Sequence, residues 1–306
     1  MKEKKPGRWA LFFKRGKWVD YTFLLPAVLF MAVLMIYPIW YSIDMGFRDV
    51  TLKNFVSGEQ PFVFLKNFQA VLSDRFFKNA LSNTFVFVFV CLIFHFLFGF
   101  AFALYFNKNF KGAKWMRALL LIAWMNPTVI TGTIFEWILA GDIGILNYML
   151  TSLGIIPHAI NFLSSAQTAL GSIIFANIWV GIPFNMIILL SGLQGIPGEL
   201  YESAVIDGAG AWRRFKDITW PMMMPTISVL FLLGFIYTFK VFDLIYAMTK
   251  GGPANSSQIL SYYSYEKSFT MFRFGEGAAA SNISFLIIIA LALIYVHISK
   301  KEDVAA

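Results

Sequence analysis

Six long apolar runs, each nearly free of charged residues, constrain the fold of this chain more than any other feature. An α-helix needs about 20 mostly apolar residues to cross about 30 Å of hydrocarbon. Such a segment must satisfy its own backbone hydrogen bonds, which favours helices over isolated strands. We therefore predict six membrane-spanning helices, at residues 21–43, 79–105, 115–139, 166–193, 218–246 and 278–299.

The composition indicates the same class of protein. Of the 306 residues, 58% are hydrophobic and only 14% are charged, whereas soluble domains carry about 25% charged residues. The predicted fold class is an all-α membrane protein. The net charge of +8 does not indicate a nucleic-acid partner, because the basic residues lie between the apolar runs instead of forming one patch. Cys91 is the single cysteine, so neither an internal disulfide nor a C-x-x-C metal or redox motif is possible.

The lysines and arginines between the runs predict the orientation of the chain. Sixteen of them lie on the side of the N-terminus and eight on the other side. Because cytoplasmic loops are enriched in basic residues, both termini are predicted to be cytoplasmic. Residues 1–20 then form a cytoplasmic N-terminal segment, 21–299 the transmembrane domain and 300–306 a cytoplasmic tail. The first apolar run is too long for a signal peptide and is expected to be retained.

Residues 195–217, between the fourth and fifth predicted spans, interrupt the apolar pattern. Pro197–Glu199 predicts the start of a short helix, with an acid in its first turn that the helix dipole favours. Asp207–Gly208 predicts the end of that helix, because glycine adopts the left-handed conformation that closes helices. A second short helix with Trp212 and Phe215 leads into the membrane. The prediction is a compact helix-turn-helix loop on the cytoplasmic side.

From the residues alone, this loop has two interpretations. Its apolar flank of Tyr201, Ala204 and Val205 lies beside acids and fits the groove of a soluble partner. Alternatively, the loop lies on the bilayer surface and is anchored to lipid by its basic residues, which are Arg213, Arg214 and Lys216.

The spacing in this loop resembles the "EAA" loop of ABC importer permeases, in which E-A-A-x-x-x-G is followed by a phenylalanine, an isoleucine and two spaced prolines. Ser203 stands where that pattern has its first alanine, and Gly208 follows Glu202 by six residues as the pattern requires. The resemblance implies that the loop docks on an ATPase, with Glu202 as a polar anchor and Gly208 at the turn. The implied coupling residues are Glu202, Ser203, Ala204, Asp207, Gly208, Ala209 and Phe215.

Residues 239–253 resemble the end of the fifth span in sugar permeases of the maltose/glycerol-phosphate-type uptake family, and so does the segment 274–279. The resemblance implies a type I importer permease fold, carbohydrate uptake and a bacterial or archaeal cell membrane. It further implies a paralogous second permease, a cytoplasmic ATPase dimer and an extracytoplasmic solute-binding protein. The chain has no G-x-x-x-x-G-K-[ST] loop, so no cofactor is predicted on it, and ATP and Mg are expected on the partner ATPase.

Polar side chains inside the apolar runs are candidates for a substrate path, because ionisable groups at membrane depth are costly and usually face a cavity or a partner. Carboxylates and amides suit sugar hydroxyls, and aromatic faces suit the sugar ring. Lys240 and Asp243 are three residues apart and are also expected to form an ion pair if they share a helix face. His95 is interpreted as a hydrogen-bonded packing residue. The path candidates are Glu136, Trp137, Asn126, Asn185, Lys240, Asp243 and Tyr246.

Three other functions compete with sugar import. The same architecture serves importers of non-sugar solutes such as a phosphodiester, an amino acid or an ion. An ion-coupled secondary transporter would use the charged path residues, but the inverted repeat typical of that class is not found. A membrane-embedded enzyme is disfavoured because neither H-E-x-x-H nor D-x-D occurs, so no catalytic or metal-binding residues are predicted.

Overall fold

The structure is a computed structural model that describes residues 17–108 and 110–305, with side chains between residues 22 and 295. In this part of the chain the regular secondary structure is helical, apart from two isolated β-bridges. The predicted N-terminal segment therefore lies mostly outside the described residues. The helices are α1 (Lys17–Met31, continued by Ala32–Ile36 and Tyr37–Gly46), α2 (Leu52–Ser57), α3 (Lys66–Ser73), α4 (Arg75–Phe106), α5 (Ala113–Met125), α6 (Thr128–Ile138), α7 (Ile145–Ser152), α8 (Ala169–Gln194), α9 (Gly198–Ile206), α10 (Ala211–Arg214, continued by Phe215–Thr219 and Trp220–Phe239), α11 (Asp243–Met248), α12 (Leu260–Tyr265, continued by Glu266–Thr270) and α13 (Phe274–Ala305).

Five of the described helices are long and apolar enough to cross a membrane, and α5 with α6 forms a sixth span if the bent pair is counted once. This confirms the predicted all-α membrane class with six spans. The five helices that qualify alone are Thr22–Gly46, Arg75–Phe106, Ala169–Gln194, Ala211–Phe239 and Phe274–Tyr295.

The third predicted span, 115–139, is not one straight helix. It breaks after Met125, and the two halves α5 and α6 meet at 93°. Asn126 adopts an extended conformation with ψ of 140°. Pro127 explains the break, because proline lacks the N–H of an interior helix position and disfavours helical geometry in the residue before it.

The fifth predicted span, 218–246, also differs from the structure. The helix α10 begins seven residues earlier, at Ala211, and ends at Phe239. Residues 240–242 are not helical, and the short α11 follows. The second span likewise begins earlier than predicted, because the Asp74 side chain accepts a hydrogen bond from the N–H of Phe76 and so caps α4 at its start.

The helices α4 and α8 form the most extensive contact of the bundle. Gly181 permits this close approach, since a Cβ at this position would lie 2.2 Å from Nε2 of His95 on α4. We call the end of the bundle that carries residues 195–217 the loop side and the opposite end the far side. One apolar cluster, which includes Phe100, Met186 and Met223, fills the loop side, and a larger one extends to the far side.

The first helix is attached to the bundle along only part of its length. Its Tyr37–Gly46 section packs against α13, where Nδ2 of Asn282 donates to the carbonyl of Ser42 at 3.2 Å. The part of α1 before Tyr37 exposes large apolar side chains, including Phe23, Leu29 and Phe30. An aqueous surface does not favour such a helix, whereas lipid does.

Candidate functional site

The helix α9 ends in a closed turn at Gly208. The N–H of Ala209 donates to the carbonyl of Ala204 at 2.8 Å, and the N–H of Gly208 donates to the carbonyl of Val205 at 3.0 Å. This pair of hydrogen bonds is a Schellman motif, which needs a left-handed residue after the helix. Gly208 has φ of +72° and meets that need, and a Cβ there would contact nothing within 4 Å. The turn therefore requires glycine for its backbone conformation and not for space.

The outward surface of α9 combines one acid with apolar side chains. Glu202 is exposed, and it makes no ion pair or hydrogen bond to any part of the chain that the structure describes. Val205 and Ile206, three and four residues later, lie on the same face and are 54% and 86% exposed. Asp207 and Ser203 are exposed as well. This surface can accept a partner that offers an apolar groove with a cation at its edge.

The inward surface of α9 is tied to the membrane helices. The Tyr201 hydroxyl lies 2.9 Å from the buried Thr219 hydroxyl in the Phe215–Thr219 section of α10. Phe215 packs against Phe100 of α4 at 6.1 Å between ring centroids and stacks on the exposed Trp212 at 5.7 Å. Among the predicted coupling residues, Phe215 therefore joins the loop to the bundle and does not form its outer surface.

A cavity of about 380 Å³ lies among α4, α5, α6, α8 and α10, between the two ends of the bundle. Its lining brings hydrogen-bonding groups together with aromatic faces. Asn185 belongs to this lining and donates its side-chain N–H to the carbonyl of Gly181 at 2.8 Å, which leaves its amide oxygen free to accept. The other polar and aromatic lining residues are His95, Trp124, Thr128, Asn177, Phe184, Tyr237 and Thr238.

The break in the third span positions part of this lining. Asn126 itself does not line the cavity, but Trp124 and Thr128 on either side of it do. His95 lies in the wall with Nε2 at 3.0 Å from the carbonyl oxygen of Asn177. This contact agrees with the interpretation of His95 as a hydrogen-bonded packing residue. The sequence reasoning missed Thr128, Asn177 and Thr238, although each is a polar residue inside an apolar run.

The predicted ion pair between Lys240 and Asp243 is wrong. Lys240 lies in the non-helical residues after α10, whereas Asp243 is the first residue of α11. The two therefore do not share a helix face. The Lys240 ammonium instead lies 4.9 Å from the ring centroid of Tyr237, which lines the cavity. Tyr246 packs against Phe242 and lies away from the cavity.

A second cavity of about 470 Å³ lies at the far side, and Glu136 is part of its lining. Trp137 lines neither of these two cavities and is 74% exposed. The predicted path residues therefore do not form a single site. Within the described ranges, no group of three or more His, Cys, Asp or Glu side chains is arranged to hold a metal ion.

Comparisons with known proteins place this geometry in a family. The family model described as "Binding-protein-dependent transport system inner membrane component" matches residues 95–303. The trehalose/maltose transport system permease protein MalF of Thermococcus litoralis is 35% identical over 286 residues, which cover 92% of this chain and 94% of that protein. The sulfoquinovosyl glycerol transport system permease protein SmoG of Agrobacterium fabrum is 30% identical over 302 residues, which cover 98% of this chain and 97% of that protein.

The fold also matches a solved structure. A chain in the crystal structure of a bacterial ABC transporter that imports the acidic polysaccharide alginate superposes with a TM-score of 0.82 at 25% identity, covering 96% of this chain and 98% of that chain. The bundle is thus the type I ABC importer permease fold. With the family match over more than half of its length, the chain belongs to the binding-protein-dependent transport system inner membrane components and is an integral, multi-pass permease subunit.

Proposed function

We propose that this permease takes up a sugar or oligosaccharide, driven by ATP hydrolysis on a separate ATPase that docks on α9. Sugar as the solute class is supported by two relatives, one named as a trehalose/maltose permease and the other as a sulfoquinovosyl glycerol permease. The lining of the mid-bundle cavity carries the proposal. Asn185, Thr128 and Thr238 offer hydrogen-bonding groups for hydroxyls, and Trp124 and Tyr237 offer aromatic faces for a sugar ring.

The contacts of α9 and of the first part of α10 support a route by which ATPase motion would reach this cavity. The Tyr201–Thr219 hydrogen bond transmits a displacement of α9 to α10, and the Phe215–Phe100 contact transmits it to α4. Both membrane helices line the cavity, α4 with His95 and α10 with Tyr237. Closure of an ATPase dimer against α9 therefore changes the cavity from loop-side access to far-side access. Packed helices move as rigid bodies because protein interiors are close-packed and transmit strain.

This mechanism requires partners that supply what the chain lacks. A cytoplasmic ATPase dimer holds ATP and Mg and docks on the acid and apolar residues of α9. A second permease completes the membrane pathway, and an extracytoplasmic binding protein delivers the solute to the far side. The family description supports the binding protein, since it names a binding-protein-dependent transport system. The Glu202 carboxylate anchors a basic residue of the ATPase, while Val205 and Ile206 enter an apolar groove.

Reconstitution tests the proposal. The chain is purified with the permease, ATPase and binding-protein subunits encoded beside it and is placed in proteoliposomes with ATP on the ATPase side. We expect ATP-dependent accumulation of radiolabelled trehalose or maltose, and no ATP hydrolysis by the chain purified alone. Uptake of glycerol 3-phosphate or an amino acid without uptake of any sugar would contradict the solute class. Hydrolysis by the isolated chain would contradict the requirement for a separate ATPase.

A further inference from the structure

The far-side cavity has three well-defined walls. The end of α6 and the residues after it contribute Glu136 and Gly141, the loop before α8 contributes Asn161 and Ser164, and the loop after α11 contributes Thr249. The helix α8 begins at the far side and ends just before α9. Because the cavity is lined by the loop that precedes α8, it lies at the opposite end of the bundle from the ATPase-docking loop. It shares no lining residue with the mid-bundle cavity.

The loop before α8 is held in place by side-chain hydrogen bonds. Asn147, which is buried, donates to the carbonyls of Gly141 and Ile160 and accepts from the N–H of Ile160. The single proton of the Thr168 hydroxyl is within donating distance of two carbonyl oxygens, that of Phe162 at 2.8 Å and that of Asn161 at 3.0 Å. This wall of the cavity is therefore preorganised by bonds that leave the Asn161 side-chain amide unused.

The loop after α11 is held in a similar way. The hydroxyls of Thr249 and Ser257 lie 2.8 Å apart, and Ser257 also donates to the carbonyl of Gly252 at 2.6 Å. From α4, Asn83 donates to the carbonyls of Ser256 and Gln258. The cavity is thus bounded by two fixed loops, which lowers the conformational cost of binding a ligand there.

The polar groups that face this cavity are free to bind. The carboxylate of Glu136, the side-chain amide of Asn161 and the hydroxyl of Ser164 make no hydrogen bond or ion pair with the described part of the chain. Apolar surface from Leu163 and Met248 lies beside them. Acceptors and donors next to an apolar patch match the hydroxyls and the C–H face of a sugar ring, and the volume is within the range of about 300–1,000 Å³ for ligand cavities.

From this arrangement we propose that the far-side cavity is an entry subsite, which binds one neutral polyhydroxylated unit of the solute before it reaches the mid-bundle cavity. The Glu136 carboxylate accepts hydrogen bonds from two hydroxyls of that unit, and Asn161 and Ser164 orient it. This inference rests on the proposed function, because it takes the transported solute to be a sugar.

Cysteine accessibility tests the subsite without relying on transport. The native Cys91 is fully buried, so a new cysteine in this chain gives the labelling signal when the partner subunits are cysteine-free. Ser164→Cys places a thiol in the cavity, and Ser152→Cys places one on the exposed surface of α7 as a matched control. The complete transporter in nanodiscs, without binding protein, is labelled by a charged methanethiosulfonate with and without trehalose. We expect trehalose to slow labelling several-fold at residue 164 and not at residue 152.

A second variant tests whether Glu136 binds the sugar that protects the residue-164 cysteine from labelling. In the Glu136→Gln background, the trehalose concentration that gives half-protection of the residue-164 cysteine should rise about tenfold, because a bond to a charged acceptor is lost. If the unaltered transporter imports trehalose but the sugar does not protect residue 164, the entry subsite is wrong and the proposed function stands. If the same subunits import no sugar when they are reconstituted in proteoliposomes with the binding protein and ATP, the proposed function fails together with the subsite.

Discussion

The hydroxyl oxygens of Tyr201 and Thr219 lie 2.9 Å apart, so a hydrogen bond joins α9 to the Phe215–Thr219 section of α10. Thr219 is 6% exposed, which means that water does not readily replace Tyr201 as its partner. A buried hydrogen bond of this kind contributes about 0.5–1.5 kcal/mol. Moving the loop and the membrane helix apart breaks this bond, so the bond favours their moving together.

Removing this bond should uncouple hydrolysis from uptake. With Tyr201→Phe, we expect the ATPase rate of the reconstituted transporter to persist while the amount of sugar imported per ATP falls several-fold. Thr219→Val should have the same effect, and the double variant should be no worse than either single one, since both remove one interaction. Additive losses in uptake per ATP would show that the two hydroxyls act independently and would contradict the link.

Two substitutions of Gly208 test whether coupling needs the left-handed backbone conformation at this position. Gly208→Val places a β-branched residue at φ of +72°, which is strained whatever the available space, and should abolish uptake while the protein stays in the membrane. Gly208→Asn should retain much of the uptake, because asparagine tolerates the left-handed conformation. Uptake assays on equal amounts of membrane-inserted protein compare the two. Normal uptake by the valine variant would exclude the coupling role of this turn.

Part of the fold and the outline of the coupling loop could be predicted from local sequence. The apolar runs located the spans because membrane length and hydrophobicity act on each segment separately. Pro197, Asp207 and Gly208 predicted the bounds of α9 because helix caps depend on nearby residues. The exposed Ile206 was missed, although it directly precedes Asp207. The break at Pro127 had a visible signal, but the apolar run around it was long enough to be interpreted as one span.

The substrate path could not be predicted in the same way. Cavities arise where several helices meet, and no single segment contains that information. Asn185 lines the mid-bundle cavity and stays a predicted path residue, whereas Glu136 belongs to a different cavity. Lys240 and Asp243 were wrongly paired because the pairing assumed a continuous helix, while the helix α10 ends at Phe239. Tertiary contacts at helix ends thus determine which polar residues come together.

The contact between Gly181 and His95 should make the α4–α8 interface intolerant of added volume. Gly181→Ala places a methyl group 2.2 Å from Nε2 of His95, so the two helices must separate. Overpacking of this kind costs about 1–3 kcal/mol, and we expect a lower unfolding temperature in detergent. Gly171→Ala, on the same helix with nothing within 4 Å of its Cβ, is the control and should unfold at a temperature no lower than that of the unaltered protein, because alanine favours the helix.

A compensating variant separates a steric effect from other causes. His95→Ala removes the ring that the new methyl group contacts, so adding it to Gly181→Ala should recover part of the lost unfolding temperature. His95→Ala alone is destabilising because it leaves a void between α4 and α8. If the double variant unfolds at a temperature lower than the sum of the single effects predicts, the crowding of Gly181 against the histidine is not the cause of the loss.

On the far side, Lys267 joins the starts of α4 and α13. Its ammonium lies 3.0 Å from Asp74 and 3.1 Å from Glu276, and the residue is only 8% exposed. The Tyr263 hydroxyl also donates to Asp74 at 2.8 Å. Burial raises the pKa of Asp74, but the hydrogen bonds from the Phe76 N–H, Lys267 and Tyr263 outweigh it, and the net pKa is below the ordinary value of 3.8. Burial and the bond to Asp74 raise the pKa of Tyr263.

The lowered pKa of Asp74 gives its contribution to stability a defined pH dependence. A carboxyl whose folded-state pKa is depressed stabilises the fold fully above its unfolded-state pKa, and this stabilisation is lost as the pH falls through the folded-state pKa. Asp74→Asn should therefore lower the unfolding temperature by a constant amount from about pH 5 to 8, since charge-assisted bonds of about 1.5–3 kcal/mol are removed. The difference should shrink below about pH 4 as Asp74 of the unaltered protein becomes protonated.

Asp142→Asn, at an exposed acid on the same side, should show no such pH-dependent difference. A difference between Asp74→Asn and the unaltered protein that persists unchanged to pH 2 would mean that the charge of Asp74 does not hold these helices together.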